Sequence, residues 1–127
     1  MRWALLLACA VAAHAETPRD VLDFFRTAAE ALSDQDPRAF LAHFDPSMKG
    51  YVLLSDEVAA LANLDVSSTL EFASDEGDDR VREMDLDWLL RINGGRPRRE
   101  ILHCKLEKQG KKWRITALDR VEFFAAP

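Results

Sequence analysis

Apolar residues change their spacing once along this chain, from intervals of three and four to strict alternation, which divides it into a helical first half and a stranded second half. Val21, Leu22, Phe24, Phe25, Ala28, Ala29 and Leu32 form one broad stripe, predicting an amphipathic helix that ends near Ser33. Thr17, Pro18 and Asp20 supply its start: a hydroxyl to cap free amides, a proline at the first helical position and an acid in the first turn. Asp36 and Pro37 repeat the device for a shorter helix that turns Phe40, Leu41 and Phe44 to the core before Asp45-Pro46 breaks it. Ser55, followed by Asp56 and Glu57, is expected to cap a third helix, with Val58, Leu61 and Ala62 as its apolar face.

From Val66 the period is two. Val66, Ser68, Leu70 and Phe72 share one side of a strand, and SDEGDD at 74–79 reads as an acidic turn. The next strand alternates Arg82, Met84, Leu86, Trp88, Leu90 and Ile92, which should face the core, with Glu83, Asp85, Asp87, Leu89 and Arg91. Asn93-Gly94-Gly95 turns the chain into a long closing hairpin, RREILHCKLE, KQGK, KWRITALDRVEFF, in which Leu102, Cys104 and Leu106 pair with Trp113, Ile115 and Ala117. Helices first and a four-stranded meander afterwards predict an α+β domain: N-terminal helices packed on one face of a curved antiparallel sheet.

The first fifteen residues stand outside that pattern. MRWALLLACAVAAHA carries one arginine, an apolar run from Trp3 to Ala13 and the small-residue site Ala13-His14-Ala15. This is the layout of a signal peptide cleaved after Ala15, and the run is about half the ~20 residues of a membrane span. Export to the periplasm or the medium is therefore expected, with a single domain over 16–127. Leu6-Leu7-Ala8-Cys9 also resembles a lipoprotein box, which would tether the protein by a lipid on Cys9.

Charge and cysteine content exclude more than they assign. With 17 Lys and Arg against 22 Asp and Glu, the net charge is −5, which argues against nucleic acid or an anionic membrane as the partner. The basic clusters Arg96, Arg98, Arg99 and Lys108, Lys111, Lys112 fall at turns and read as solvated rims. Loss of the leader would leave Cys104 alone, so no intramolecular disulfide can form, and its spacing from Leu102 and Leu106 reads as a small buried hydrophobe. No Cys or His pair stands at metal-ligand spacing, so neither metal nor cofactor is expected.

A capped amphipathic helix, a short Asp-Pro helix, a third short helix and strands closing with GKKWRITALDRVEFF resemble the nuclear transport factor 2-like superfamily, in particular its small exported SnoaL-like members. The resemblance implies a cone-shaped, cystatin-like sheet around the long helix, a frequent homodimer through the outer sheet face and a pocket at the open end. It implies no single activity, because that scaffold hosts isomerases, dehydratases, cyclases and non-catalytic proteins alike. Its steroid-isomerase branch uses a tyrosine on the long helix, where this chain has Phe24 and Phe25.

Polar residues that share the core's strand parity are the candidates for such a pocket. Arg82, Glu100, Asp119 and Ser68 have that parity near strand ends, and a buried Arg82 should find Glu100 or Asp119. Trp88 lines the same interior, and His43 and Tyr51 could cap its mouth from the helical side. His103 and the acidic row Glu83, Asp85, Asp87 have the opposite parity, which puts them on the outer face as a dimer contact or in solvent. Three functions fit. A non-catalytic module binding a small apolar or amphipathic molecule comes first. A cofactor-free lyase or isomerase with Glu100 or Asp119 as base comes second, its catalytic residues otherwise unknown. The third is an interaction dimer with a filled cone and an outer patch of Leu89, Ile101, Leu118 and Phe124. A cystatin-like inhibitor would need a Gln-x-Val-x-Gly loop, which is missing.

Overall fold

The computed structural model describes residues 17–127. The expected leader at 1–15, its cleavage site and the lipidation alternative at Cys9 lie outside them. Helix α1 spans Arg19–Ser33, α2 Pro37–Leu41 and α3 Tyr51–Leu61. Strands β1 (Val66–Gly77), β2 (Val81–Ile92), β3 (Arg98–Gln109) and β4 (Lys112–Leu118) follow, and a 3-10 turn at Val121–Phe124 closes the chain. The strands form one antiparallel meander in the order β1-β2-β3-β4, with the helices on its concave face, as the change of period requires.

The apolar stripe of α1 buries Val21, Phe25, Ala28, Ala29, Ala31 and Leu32, while Leu22, at the stripe's margin, stays 43% exposed. Thr17 does not cap it: Pro18 holds the N-cap, and the Thr17 hydroxyl donates instead to Asp75 Oδ2 on β1 at 2.7 Å. Asp36 caps α2 as expected, accepting from the Ala39 amide. Helix α3 starts at Tyr51, four residues before Ser55, because Gly50 at φ +88° turns the backbone into the helix without a side-chain cap.

Arg82, Met84, Leu86, Trp88, Leu90 and Ile92 are all buried, as the alternation of β2 demands. The other strands contain two irregularities that the pattern conceals. A bulge between Phe72 and Ser74 reverses the parity of β1's last third, and β1 runs on to Gly77 instead of turning at 74. A second shift pairs Leu106 with Ile115 but Lys105 with Ala117 and Cys104 with Leu118. The sequence register therefore fails after Ile115: Ala117 and Asp119 face out, and Leu118 faces in. Beyond β4, Arg120 at φ +51° turns the chain into the 3-10 segment, so Phe124 is fully buried instead of exposed. Both Leu118 and Phe124 are thus lost from the expected outer patch.

Candidate functional site

The interior of the cone is packed with rings. Trp88 is fully buried, with Phe124 edge-on at 5.1 Å and Phe40 at 6.2 Å, and Phe40 packs in turn against Phe44 at 5.1 Å with the rings tilted by 51°. The Trp88 indole N–H donates to Ser68 Oγ at 2.8 Å, which satisfies both polar groups. Trp88 and Ser68 are therefore part of the packed interior. Cys104, paired across the sheet with Met84 and Leu118, is also fully buried, its thiol pKa pushed up to about 12 by desolvation, and it is inert as a nucleophile.

The remaining sequence candidates are dispersed. Arg82 is buried, but its partner is neither Glu100 nor Asp119: Nε and Nη2 donate to the two Asp75 oxygens at 2.9 and 3.0 Å, and Nη1 donates to the Asp78 carbonyl at 2.7 Å. Without the β1 bulge Asp75 would point outward, so the bulge makes this pair possible. Glu100 lies at the surface and accepts from Arg120 at 2.8 Å. Asp119, turned outward by the β4 irregularity, accepts from the His103 amide at 2.8 Å. His43 ties α1 to α2: its Nδ1 lies 2.9 Å from the Ala39 carbonyl and its Nε2 2.9 Å from the Thr27 hydroxyl. Burial lowers its pKa, with the Ala39 and Phe40 carbonyls opposing, so it is a neutral structural imidazole.

On the outer sheet face the acidic row lies where alternation put it. His103 sits between Asp85 Oδ1 (2.8 Å from Nδ1) and Glu83 Oε1 (3.2 Å from Nε2), and Arg99 grips both Asp87 oxygens at 2.9 and 2.6 Å. Hydrogen bonds to Asp85, then Glu83, raise the His103 pKa, and His103 in return lowers that of Asp85. Among the described residues no group of three His, Cys, Asp or Glu side chains is placed to hold a metal ion, and no helix is long and apolar enough to cross a membrane.

Concavity lies outside the cone. An open groove of about 430 Å³ separates α1 from the edge strand β1, with Leu22, Phe25 and Ala29 on one side and Leu70 and Phe72 on the other. Phe25 and Phe72 meet edge to face at 5.6 Å. Arg26 and Glu30 stand at its rim and bind each other at 3.0 Å, with Asp23 a second partner of Arg26 at 3.5 Å. Sequence reasoning missed this groove, although Leu22 at the stripe's margin and the exposed edge of the first strand both pointed to it. Tyr51 opens onto a different groove, between α2 and α3.

No protein-family model matches the sequence, and no curated protein matches it. Solved structures do. The Bd1075 protein of Bdellovibrio bacteriovorus aligns with a TM-score of 0.69 at 12% identity, covering 80% of this chain and 38% of that one, so this chain spans well under half of it. A domain of unknown function with a cystatin-like fold from Nostoc punctiforme aligns at 0.63 and 14% identity, covering 81% and 76%. A nuclear transport factor 2-like protein of unknown function from Shewanella oneidensis aligns at 0.61 and 10% identity, covering 78% and 93%. At such identities the likeness is one of fold: helices on an open four-stranded antiparallel sheet, the nuclear transport factor 2-like and cystatin-like cone.

Proposed function

We propose that the chain is a non-catalytic binding module whose ligand, a small uncharged apolar molecule, lies in the groove between α1 and β1. The groove itself carries this reading. Its volume of about 430 Å³ falls within the roughly 300–1,000 Å³ of small-molecule sites, and leucine, phenylalanine and alanine make up most of its wall beside the hydroxyls of Ser68 and Thr69. The rim cation Arg26 is shared by Glu30 and Asp23, so it is not free to hold an anionic ligand.

Proton-transfer chemistry has weaker support. It needs a desolvated carboxylate facing the substrate, whereas Glu30, the carboxylate lining the groove, is 56% exposed and held by Arg26. Glu57 on α3 has its pKa raised by burial and by Glu122, with Arg98 opposing, yet it lines neither groove named above. The leader-like segment 1–15 supports an exported location, and Leu89 and Ile101, 38% and 51% exposed on the outer face, support a homodimer.

The test is titration with a neutral fluorescent hydrophobe, N-phenyl-1-naphthylamine. Wild type should bind it, and Leu22→Lys should weaken binding about tenfold by placing a charge in the groove, with unfolding unchanged because Leu22 is half-exposed. Absence of binding up to the probe's solubility, or equal affinity in both proteins, would dismiss the groove as a ligand site.

A further inference from the structure

A second groove lies at the opposite edge of the sheet, and its chemistry differs from that of the first. Helices α2 and α3 diverge beside β4 and leave an open volume of about 470 Å³ over an apolar floor of Leu41, Phe44 and Ala59. Arg38 from α2 and Arg114 from β4 flank it. Among the described residues neither guanidinium has a carboxylate within ion-pair distance, whereas Arg26, Arg82, Arg99 and Arg120 each bind one and Arg98 binds two carbonyls. The carboxylate that senses Arg114, Asp45, is occupied elsewhere. Its Oδ1 accepts from the Ser47 amide and hydroxyl at 2.8 and 2.7 Å, and its Oδ2 from Gln109 at 2.7 Å.

Two unpartnered guanidinium groups across one apolar trough form a local cationic site in a chain whose net charge is −5. Guanidinium matches a carboxylate with paired N–H donors, and its flat, weakly hydrated face tolerates an adjoining apolar surface. Tyr51 and Ser55, one turn apart on α3, line the same trough and add an aromatic ring and a hydroxyl at its wall. We propose that the α2/α3 groove binds a small organic carboxylate with an apolar body, the carboxylate between Arg38 and Arg114 and the body on Leu41, Phe44 and Ala59. Complementary charge selects the head, and Arg38 and Arg114 are the cationic residues that line the groove among the described residues. This site is independent of the apolar groove between α1 and β1, and either could fail alone.

The probe is 2-naphthoate, followed by amide chemical shifts of the purified protein, with neutral 2-naphthamide as the matched control. Shifts should appear at Tyr51, Ser55 and Arg114 with affinity near the millimolar scale and weaken with salt. The acid should bind at least about fivefold better than the amide, and R38Q/R114Q should lower acid affinity about tenfold. Both arginines lie at the surface, so the variant should unfold as wild type does, and Leu22→Lys should leave these shifts unchanged. Equal binding of acid and amide, indifference to the double substitution, or no shifts in this groove would each overturn the proposal.

Discussion

Arg82 is held by a carboxylate that the strand pattern hides. Counting by twos from Val66 sends Asp75 outward with Ser67 and Glu71, and only the bulge after Phe72 brings it in, where it fixes Arg82 and Thr17 together. The buried arginine was legible from the parity of β2. Its partner was not, because a bulge depends on cross-strand fit and leaves no mark in one strand's alternation. Removing one member of a buried pair strands the other, so Asp75→Ala should cost about 3–5 kcal/mol in urea unfolding, and the double variant D75L/R82M should recover most of it. A single-variant cost below about 1 kcal/mol would mean that Arg82 reaches water. His103 gives a pH-dependent counterpart at the surface. Its raised pKa means that its contribution is complete below the ordinary imidazole value and fades as pH rises through the raised one. Asp85, lowered, contributes above the ordinary carboxylate value and loses its effect as pH falls through the lowered one. The pair thus acts in the mildly acidic window between them, weakly because both groups are exposed. Asp85→Asn should move the His103 midpoint down in an NMR titration, and an unmoved midpoint would contradict the contact.

The closing segment departs most from its sequence reading. VEFF continues the alternation of β4, which is why it reads as strand, yet Arg120 in the left-handed region ends the extended backbone and rolls the next four residues under the cone. Arg98 then accounts for two carbonyls that no ladder satisfies, donating from Nη1 to Phe123 O at 2.6 Å and Ala125 O at 2.7 Å. The gain is Phe124 against Trp88, Phe40 and Phe123 in the middle of the cone. Phe124→Ala should cost about 3–5 kcal/mol, the range for a truncated buried ring. Arg98→Met should cost about 1–3 kcal/mol, because two buried-end carbonyls lose their donor. Guanidinium denaturation of the two variants checks both values, and a near-neutral Phe124→Ala would show the 3-10 turn to be frayed. Helices α1 and α2 and strand β2, by contrast, were readable from periodicity because a single buried face determines each.

At the scale of the molecule, the order of helices and strands follows from the one change of period, and the α+β cone was legible on that ground. Whether the cone was hollow was not, since that depends on three rings from distant segments, Phe40, Trp88 and Phe124, meeting in space. Their packing puts the two grooves described above outside the cone, and the broad outer sheet face is the surface on which the proposed homodimer rests. That face joins a small apolar centre, Leu89 and Ile101 on adjacent strands, to a charged surround of Asp87–Arg99 and His103 with Asp85 and Glu83. An apolar centre inside a polar rim is the anatomy of an interface. Strands of this length give the face an extent of about 40 Å by 15 Å, the scale of a standard interface at roughly 800 Å² per partner. Light scattering on the purified protein should therefore report a dimer at about micromolar concentration. Ile101→Glu, which buries an unpaired carboxylate at the centre of that contact, should shift it to monomer by more than about a hundredfold in dissociation constant while leaving the fold intact, because Ile101 is half-exposed in one copy. A wild-type monomer at every concentration, or a dimer indifferent to Ile101→Glu, would assign the convex face to solvent.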